Sequence, residues 1–110
     1  MTDIAARLEN LADHLDSEVR LWLNRERPSY RNDVLNASDR FVRRSARIHR
    51  MLPSHPTANE LKKETSDLNE EFRALYQYLG RCRTEHRDHL RVLSEDIAQA
   101  IYELRAPLQL

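Results

Sequence analysis

Apolar residues recur at intervals of three and four along four separate segments of the chain, and this spacing predicts four amphipathic α-helices. Prolines, the glycine and capping residues place these helices at about residues 3–23, 29–52, 58–80 and 85–105. The single glycine among 110 residues leaves too few turn positions for a β-sandwich or a Rossmann-type fold. The predicted fold class is therefore all-α.

The third segment has the most regular repeat, in which steps of four and three alternate as in a heptad seam. Its members are Leu61, Thr65, Leu68, Phe72, Leu75, Leu79 and Cys82. Thr57 followed by Glu60 is a capping-box pattern, which predicts where this helix begins. Its end stays open, because Gly80 fits a helix C-cap whereas the seam continues to Cys82.

Similar helix lengths and short connections favour antiparallel neighbours. We therefore predict a single domain, residues 1–110, folded as an up-down-up-down four-helix bundle. In this topology the first and third turns lie at one end, here called the top. The second turn and both termini lie at the bottom. The residues expected to share the top layer are Trp22, Tyr30, Leu79, Cys82 and His86.

Charge is balanced over the whole chain but not along it. Eighteen basic and 18 acidic residues give a net charge of zero, which disfavours a polyanion-binding role for the molecule as a whole. Residues 1–19 carry a net charge of −4, residues 20–50 carry +6, residues 51–80 carry −2 and residues 81–110 carry 0. The basic second helix is thus flanked by acidic first and third helices.

The second helix carries a dense stripe of arginines, namely Arg40, Arg43, Arg44, Arg47 and Arg50. The favoured interpretation is that these arginines pair with the acidic neighbours and select the correct helix arrangement. The alternative is that the outer side of the stripe binds phosphates, nucleic acid or an acidic partner.

Two charged residues, Glu18 and Arg44, occupy positions that face the predicted core. An unpaired charge there would be costly, so each is expected to meet an opposite charge and to help fix the register of the helices. The candidate partners are Arg31, Arg87 or Arg91 for Glu18, and Glu9 or Glu64 for Arg44.

Catalytic and metal-site motifs are sparse. The chain has no Gly-x-Ser-x-Gly sequence and no phosphate loop, and one cysteine excludes zinc motifs built from cysteine pairs. The nearest approach to a metal site is Cys82 with His86 and His89, which supply at most three ligands. The alternative is that Cys82 and His86 close the top of the core. We expect no enzymatic activity and no cofactor.

Aromatic residues offer one candidate contact patch. Trp22, Tyr30 and Tyr78 are expected near the top, and aromatic residues are frequent in interaction hot spots. Tyr76 and Tyr102 are interpreted as ordinary surface tyrosines.

Three short patterns follow one another along the chain: Pro28-Ser29-Tyr30-Arg31, Ile48-His49-Arg50, and Asp67-Leu68 with Phe72. In this combination the chain resembles a group of small bacterial helical proteins of the planctomycete type, which often follow an export signal. The resemblance spans much of the chain and implies the mature part of an exported protein, with Met1 added. These relatives carry more histidine along their third and fourth helices, whereas Arg73 and Ala74 follow Phe72 here. The resemblance implies no particular activity.

Together these features favour a non-enzymatic structural or protein-interaction bundle that binds a protein partner or a second copy of itself. Binding of anions or nucleic acid by the arginine stripe is the second hypothesis, and a weak metal site near His86 and His89 is the third. No apolar run is long enough to span a membrane, and one cysteine fits either redox environment. The chain is therefore expected to be soluble, either cytoplasmic or exported.

Overall fold

The structure is a computed structural model that describes residues 1–108. It is an all-α four-helix bundle, which confirms the predicted fold class. Helix α1 spans Thr2–Glu26, α2 spans Arg31–Met51, α3 spans Ala58–Leu79 and α4 spans Arg87–Arg105. Two short 3-10 segments, Leu52–Ser54 and Ala106–Leu108, follow α2 and α4.

Each helix packs against its neighbour in the chain, and α4 closes the bundle by packing against α1. The molecule measures 42 × 22 × 21 Å, as expected for helices of about 20 residues that rise about 1.5 Å per residue. The pair α3 and α4 packs less closely than the other three neighbouring pairs. None of the helices in residues 1–108 is both long and apolar enough to cross a lipid bilayer.

One continuous apolar core runs through the bundle. Its largest fully buried side chains include Trp22, Phe41, Leu15, Leu68 and Ile97. Phe41 of α2 meets Phe72 of α3 with ring centroids 5.5 Å apart. Full burial of each large apolar side chain contributes about 1.5–3 kcal/mol, so these apolar stripes drive the association of the helices.

Three hydroxyl groups inside the core are satisfied within their own helices. Ser45, Thr65 and Ser94 each donate a hydrogen bond to the carbonyl oxygen four residues earlier, at 2.9, 2.8 and 2.7 Å. Thr65, the polar member of the predicted seam, therefore joins the core without an unsatisfied donor.

The first and second turns lie where the prolines and capping residues predicted them, although α2 begins at Arg31 rather than at residue 29. Arg27 ends α1, as expected because Pro28 disfavours right-handed helical geometry at the preceding residue, and it adopts a left-handed conformation with φ of 50°. Helix α1 extends three residues beyond the predicted end. Its last buried residue is Leu23, which is fully buried. Thr57 Oγ1 accepts a hydrogen bond from the Glu60 backbone N–H at 3.1 Å, which confirms the predicted start of α3.

The third turn resolves the question of where α3 ends. The helix stops at Leu79, and α4 begins at Arg87, slightly later than predicted. Gly80 has a right-handed conformation with φ of −65°, so it is not a left-handed C-cap. Cys82 is nevertheless only 1% exposed. The continuation of the apolar seam to Cys82 therefore indicates burial of a turn residue rather than a longer helix.

Candidate binding surfaces

The α2–α3 interface carries an ionic network centred on Arg44. Arg44 Nη1 donates to Glu64 Oε2 at 2.7 Å, and Nη2 donates to Glu71 Oε1 at 2.9 Å. Arg47 Nε lies 3.2 Å from Glu64 Oε1. Hydrogen bonds that Arg44 donates to the carboxylates of Glu71 and Glu64 raise the pKa of Arg44 above its ordinary value. The predicted pairing of Arg44 with Glu64 is confirmed.

The arginine stripe of α2 is divided between two environments. Arg44 and Arg47 bind the carboxylates of α3, whereas Arg43 pairs with Asp39 one turn earlier in its own helix at 3.0 Å. Arg40 and Arg50 have no ion-pair partner within residues 1–108. A shallow cleft of about 230 Å³ lies along Arg40, Arg43, Arg44 and Arg47, but Glu71 lines it as well. Arg43, Arg44 and Arg47 already pair with carboxylates, so little unneutralised positive charge is left in this cleft to bind an anion.

The α1–α2 interface has its own polar contacts. His49 Nδ1 lies 2.7 Å from Glu9 Oε2, and Ser38 donates to Asp16 Oδ1 at 2.7 Å. The alternative prediction that Glu9 pairs with Arg44 is therefore wrong, because Glu9 faces His49.

The α1–α4 interface contains a partly buried carboxylate, that of Glu18, held by two histidines. The Nδ1 atoms of His86 and His89 lie 2.9 and 3.2 Å from Glu18 Oε1. Burial acts to raise the pKa of Glu18, but the hydrogen bonds from His86 and His89 act against it, and the pKa lies below its ordinary value. The predicted arginine partners of Glu18 are wrong. His86 caps α4 and His89 follows one turn later, so both rings reach α1.

The predicted metal ligands have other partners in the structure. Cys82 Sγ lies 3.3 Å from Thr84 Oγ1, and His86 and His89 bind Glu18 instead. Within residues 1–108, no group of three or more histidine, cysteine, aspartate or glutamate side chains is arranged to hold a metal ion. The three residues therefore do not form the site that their spacing predicted.

The three aromatic residues predicted to form a contact patch do cluster at the top of the bundle. The rings of Trp22 and Tyr30 lie 6.5 Å apart, and those of Tyr30 and Tyr78 stack at 5.7 Å. Trp22 is fully buried, however, so it cannot contact a partner as predicted. Tyr30 and Tyr78 are half-buried, and the guanidinium of Arg81 lies over both rings.

The α3–α4 interface differs from the other three. In the part of the chain that the structure describes, no side-chain hydrogen bond or ion pair joins α3 to α4. The outer surface along this interface is here called the α3/α4 face. Asn69, Arg73, Ala98, Tyr102 and Arg105 line it, and the exposed Tyr76 joins it because it lies three residues from Arg73 on the same side of α3. A groove of about 190 Å³ runs between the two helices there.

The α3/α4 face carries two exposed tyrosines and two arginines, of which Arg73 is exposed and Arg105 is half-buried. Tyr76 is 56% exposed and Tyr102 is 69% exposed. Arg73 and Arg105 lie in the groove and have no ion-pair partner among residues 1–108. The Tyr76 ring packs against Phe72 at a centroid distance of 5.9 Å, which supports it from the core side.

The sequence analysis did not single out this face, although its signal is present. Arg73 and Tyr76 are three residues apart on α3, and Tyr102 and Arg105 are three apart on α4. Residues at this spacing share one side of a helix. That the two sides meet across a loosely packed interface depends on the rotation of each helix in the bundle.

Comparison of the chain with protein-family models, with curated proteins and with solved structures finds no match. The resemblance to planctomycete-type helical proteins stays a prediction. Functional inference therefore rests on the residues and their geometry.

Proposed function

We propose that this protein is a non-enzymatic interaction module that binds an acidic amphipathic helix of a protein partner on the α3/α4 face. The observation that carries the proposal is the contrast between the four interfaces. Three of them are joined by polar side chains, whereas α3 and α4 carry two exposed tyrosines and two unpaired arginines beside a groove.

The residue types support protein binding. Tyrosine and arginine are enriched in binding hot spots, because each combines a large apolar surface with hydrogen-bonding groups. No neighbour in the bundle covers the Tyr102 side chain, so it is available to a partner.

The shape and charge of the face favour an acidic helix. A groove between two helices accepts the apolar side of a third helix, which packs at about 8–10 Å from its neighbours. No carboxylate lines the groove, and Arg73 and Arg105 are available for charge-assisted hydrogen bonds. Glutamates at the edges of the incoming helix would complement these two cations.

The proposal is tested with a synthetic peptide that carries leucines on one side of a helix and glutamates on the other. We expect this labelled peptide to bind the protein in a fluorescence anisotropy titration. Replacement of Arg73 and Arg105 together by glutamate should weaken binding by at least about tenfold, because each hot-spot residue contributes more than about 1 kcal/mol.

The matched control replaces Arg40 and Arg50 of α2 by glutamate, since both are exposed and unpaired within the described residues. This variant has the same change in net charge, so it should bind the peptide like the wild type, apart from a small long-range effect. Equal weakening by both double variants would contradict the proposal, as would no binding at all. Light scattering provides a further check, because a dimer disrupted only by the Arg73/Arg105 variant would make a second copy the occupant instead.

A further inference from the structure

A second surface, at the top of the bundle, points to a different kind of ligand. A cleft of about 860 Å³ lies between the first and third turns, a volume in the range of small-molecule sites. Arg25 and Glu26 line it from α1, Arg81 and Arg83 from the third turn, and Arg87 from α4. We propose that this top cleft binds a small anion that carries two or more phosphoryl groups.

The charge of the cleft favours an anionic ligand. Four arginines face one carboxylate, that of Glu26. The Glu26 carboxylate is itself occupied, because its Oε1 accepts the backbone N–H of Arg83 at 2.9 Å. Arg81, Arg83 and Arg87 have no carboxylate partner anywhere in residues 1–108. Concentrated positive charge of this kind repels itself until an anion neutralises it.

Contacts with neighbouring groups hold the arginines of the cleft in position. The Arg81 guanidinium carbon lies 5.1 Å from the Tyr30 ring centroid and 5.4 Å from that of Tyr78, and this cation–π contact orients it without neutralising its charge. The hydrogen bond that the Arg83 backbone N–H donates to Glu26 ties the third turn to the end of α1. Arg87 lies in the first turn of α4, where the helix dipole favours an anion and disfavours a cation.

The remaining arginine of the cleft is only weakly engaged. Arg25 lies 3.5 Å from Glu85, and both side chains are largely exposed. Exposed pairs of this kind contribute little, so an incoming phosphoryl group can compete for Arg25.

The number of arginines defines the ligand class. One phosphoryl group is satisfied by one or two guanidinium groups through paired hydrogen bonds. Four arginines around a cleft of about 860 Å³ exceed that requirement and fit a linear anion with several phosphoryl groups. The cleft shares no lining residue with the α3/α4 face, so this inference does not depend on the proposed function.

Tripolyphosphate is the probe, titrated by calorimetry and by thermal unfolding followed through Trp22 fluorescence. Trp22 is the only tryptophan, and its ring contacts that of Tyr30, which lines the cleft. Because a ligand that binds only the folded state stabilises it, we expect a saturable rise in Tm of several degrees. Sodium sulfate at matched ionic strength should give a smaller rise in Tm that does not saturate.

Replacing Arg83 and Arg87 together by glutamine should weaken tripolyphosphate binding by at least about tenfold. The matched control, Arg40→Gln with Arg50→Gln, should leave binding unchanged, and circular dichroism checks that both variants fold. Equal weakening in both variants, or equally tight binding of inorganic phosphate, would overturn the proposal. A single-stranded oligonucleotide that binds through the same arginines while tripolyphosphate does not would also overturn it, in favour of a nucleic-acid site.

Discussion

Arg44 shows how a charged residue occupies a position that faces the core. Its side chain is 23% exposed, and that of its partner Glu64 is only 10% exposed. Burying two charges is costly, and the cost is offset only when their hydrogen bonds are satisfied. Arg44 binds two carboxylates and so leaves neither Glu64 nor Glu71 without a partner.

Replacing Arg44 by methionine should reduce the free energy of unfolding by about 2–3 kcal/mol. Methionine keeps the apolar stem but leaves the buried Glu64 carboxylate with only the exposed Arg47, and partial exposure keeps the loss below that of a fully buried pair. Urea denaturation measures the change. The control Arg43→Met removes an exposed pair and should cost less than about 0.5 kcal/mol. Equal losses in the two variants would show that the network is not structurally important.

Glu18 predicts an acid-sensitive stability. Its pKa in the folded protein lies below the ordinary value of 4.5, so the folded state binds fewer protons than the unfolded chain as the pH falls past that value. The stabilisation is complete above the unfolded pKa and is lost as the pH falls through the lowered pKa of the folded state. Urea denaturation from about pH 5.5 to about pH 3 should therefore show a smaller loss of stability in Glu18→Gln than in the wild type. Parallel losses would exclude this role for Glu18.

At the scale of elements, the turns decide how the helices end. Arg27 and His55 adopt left-handed conformations, with φ of 50° and 54°, although neither is glycine. The only glycine of the chain, Gly80, has an ordinary right-handed conformation. The only glycine therefore does not occupy a position that requires a positive φ.

Replacing Gly80 by alanine should stabilise the protein by about 0.4–1 kcal/mol. A Cβ atom at this position would meet nothing within 4 Å, and alanine restricts the unfolded chain more than glycine does. Thermal and urea unfolding measure the effect. His55→Gly is the companion variant, and it should be tolerated because glycine relieves the left-handed backbone. Destabilisation by Gly80→Ala would mean that the third turn has another conformation.

The helices themselves were predictable because their apolar spacing is a local property of the sequence. The partner of Arg44 was predictable only as one of two candidates, Glu9 and Glu64, because both flanking helices are acidic, and the structure selects Glu64. The partners of Glu18 were not, because His86 and His89 reach it only through the particular path of the third turn. The path of the third turn also buries Cys82, whereas the seam pattern suggested that Cys82 belonged to a longer helix.

For the whole molecule, the distribution of polar contacts makes the bundle asymmetric. Ion pairs and hydrogen bonds join α1 to α2, α2 to α3 and α4 to α1, and they favour one arrangement of the helices over others. Nothing comparable joins α3 to α4 within residues 1–108. This asymmetry could not be predicted from the sequence, because it depends on how far apart two neighbouring helices pack.

The central claim is that the α3/α4 face is the surface that binds a partner. The most direct test is an NMR titration of the isotopically labelled protein with the acidic amphipathic peptide, which locates the contact residue by residue. We predict that chemical shift changes concentrate in residues 69–76 and 98–105 and are absent from the outer side of α2. Changes centred on Arg40, Arg43 and Arg50 of α2 would contradict the account and assign binding to the arginine stripe instead.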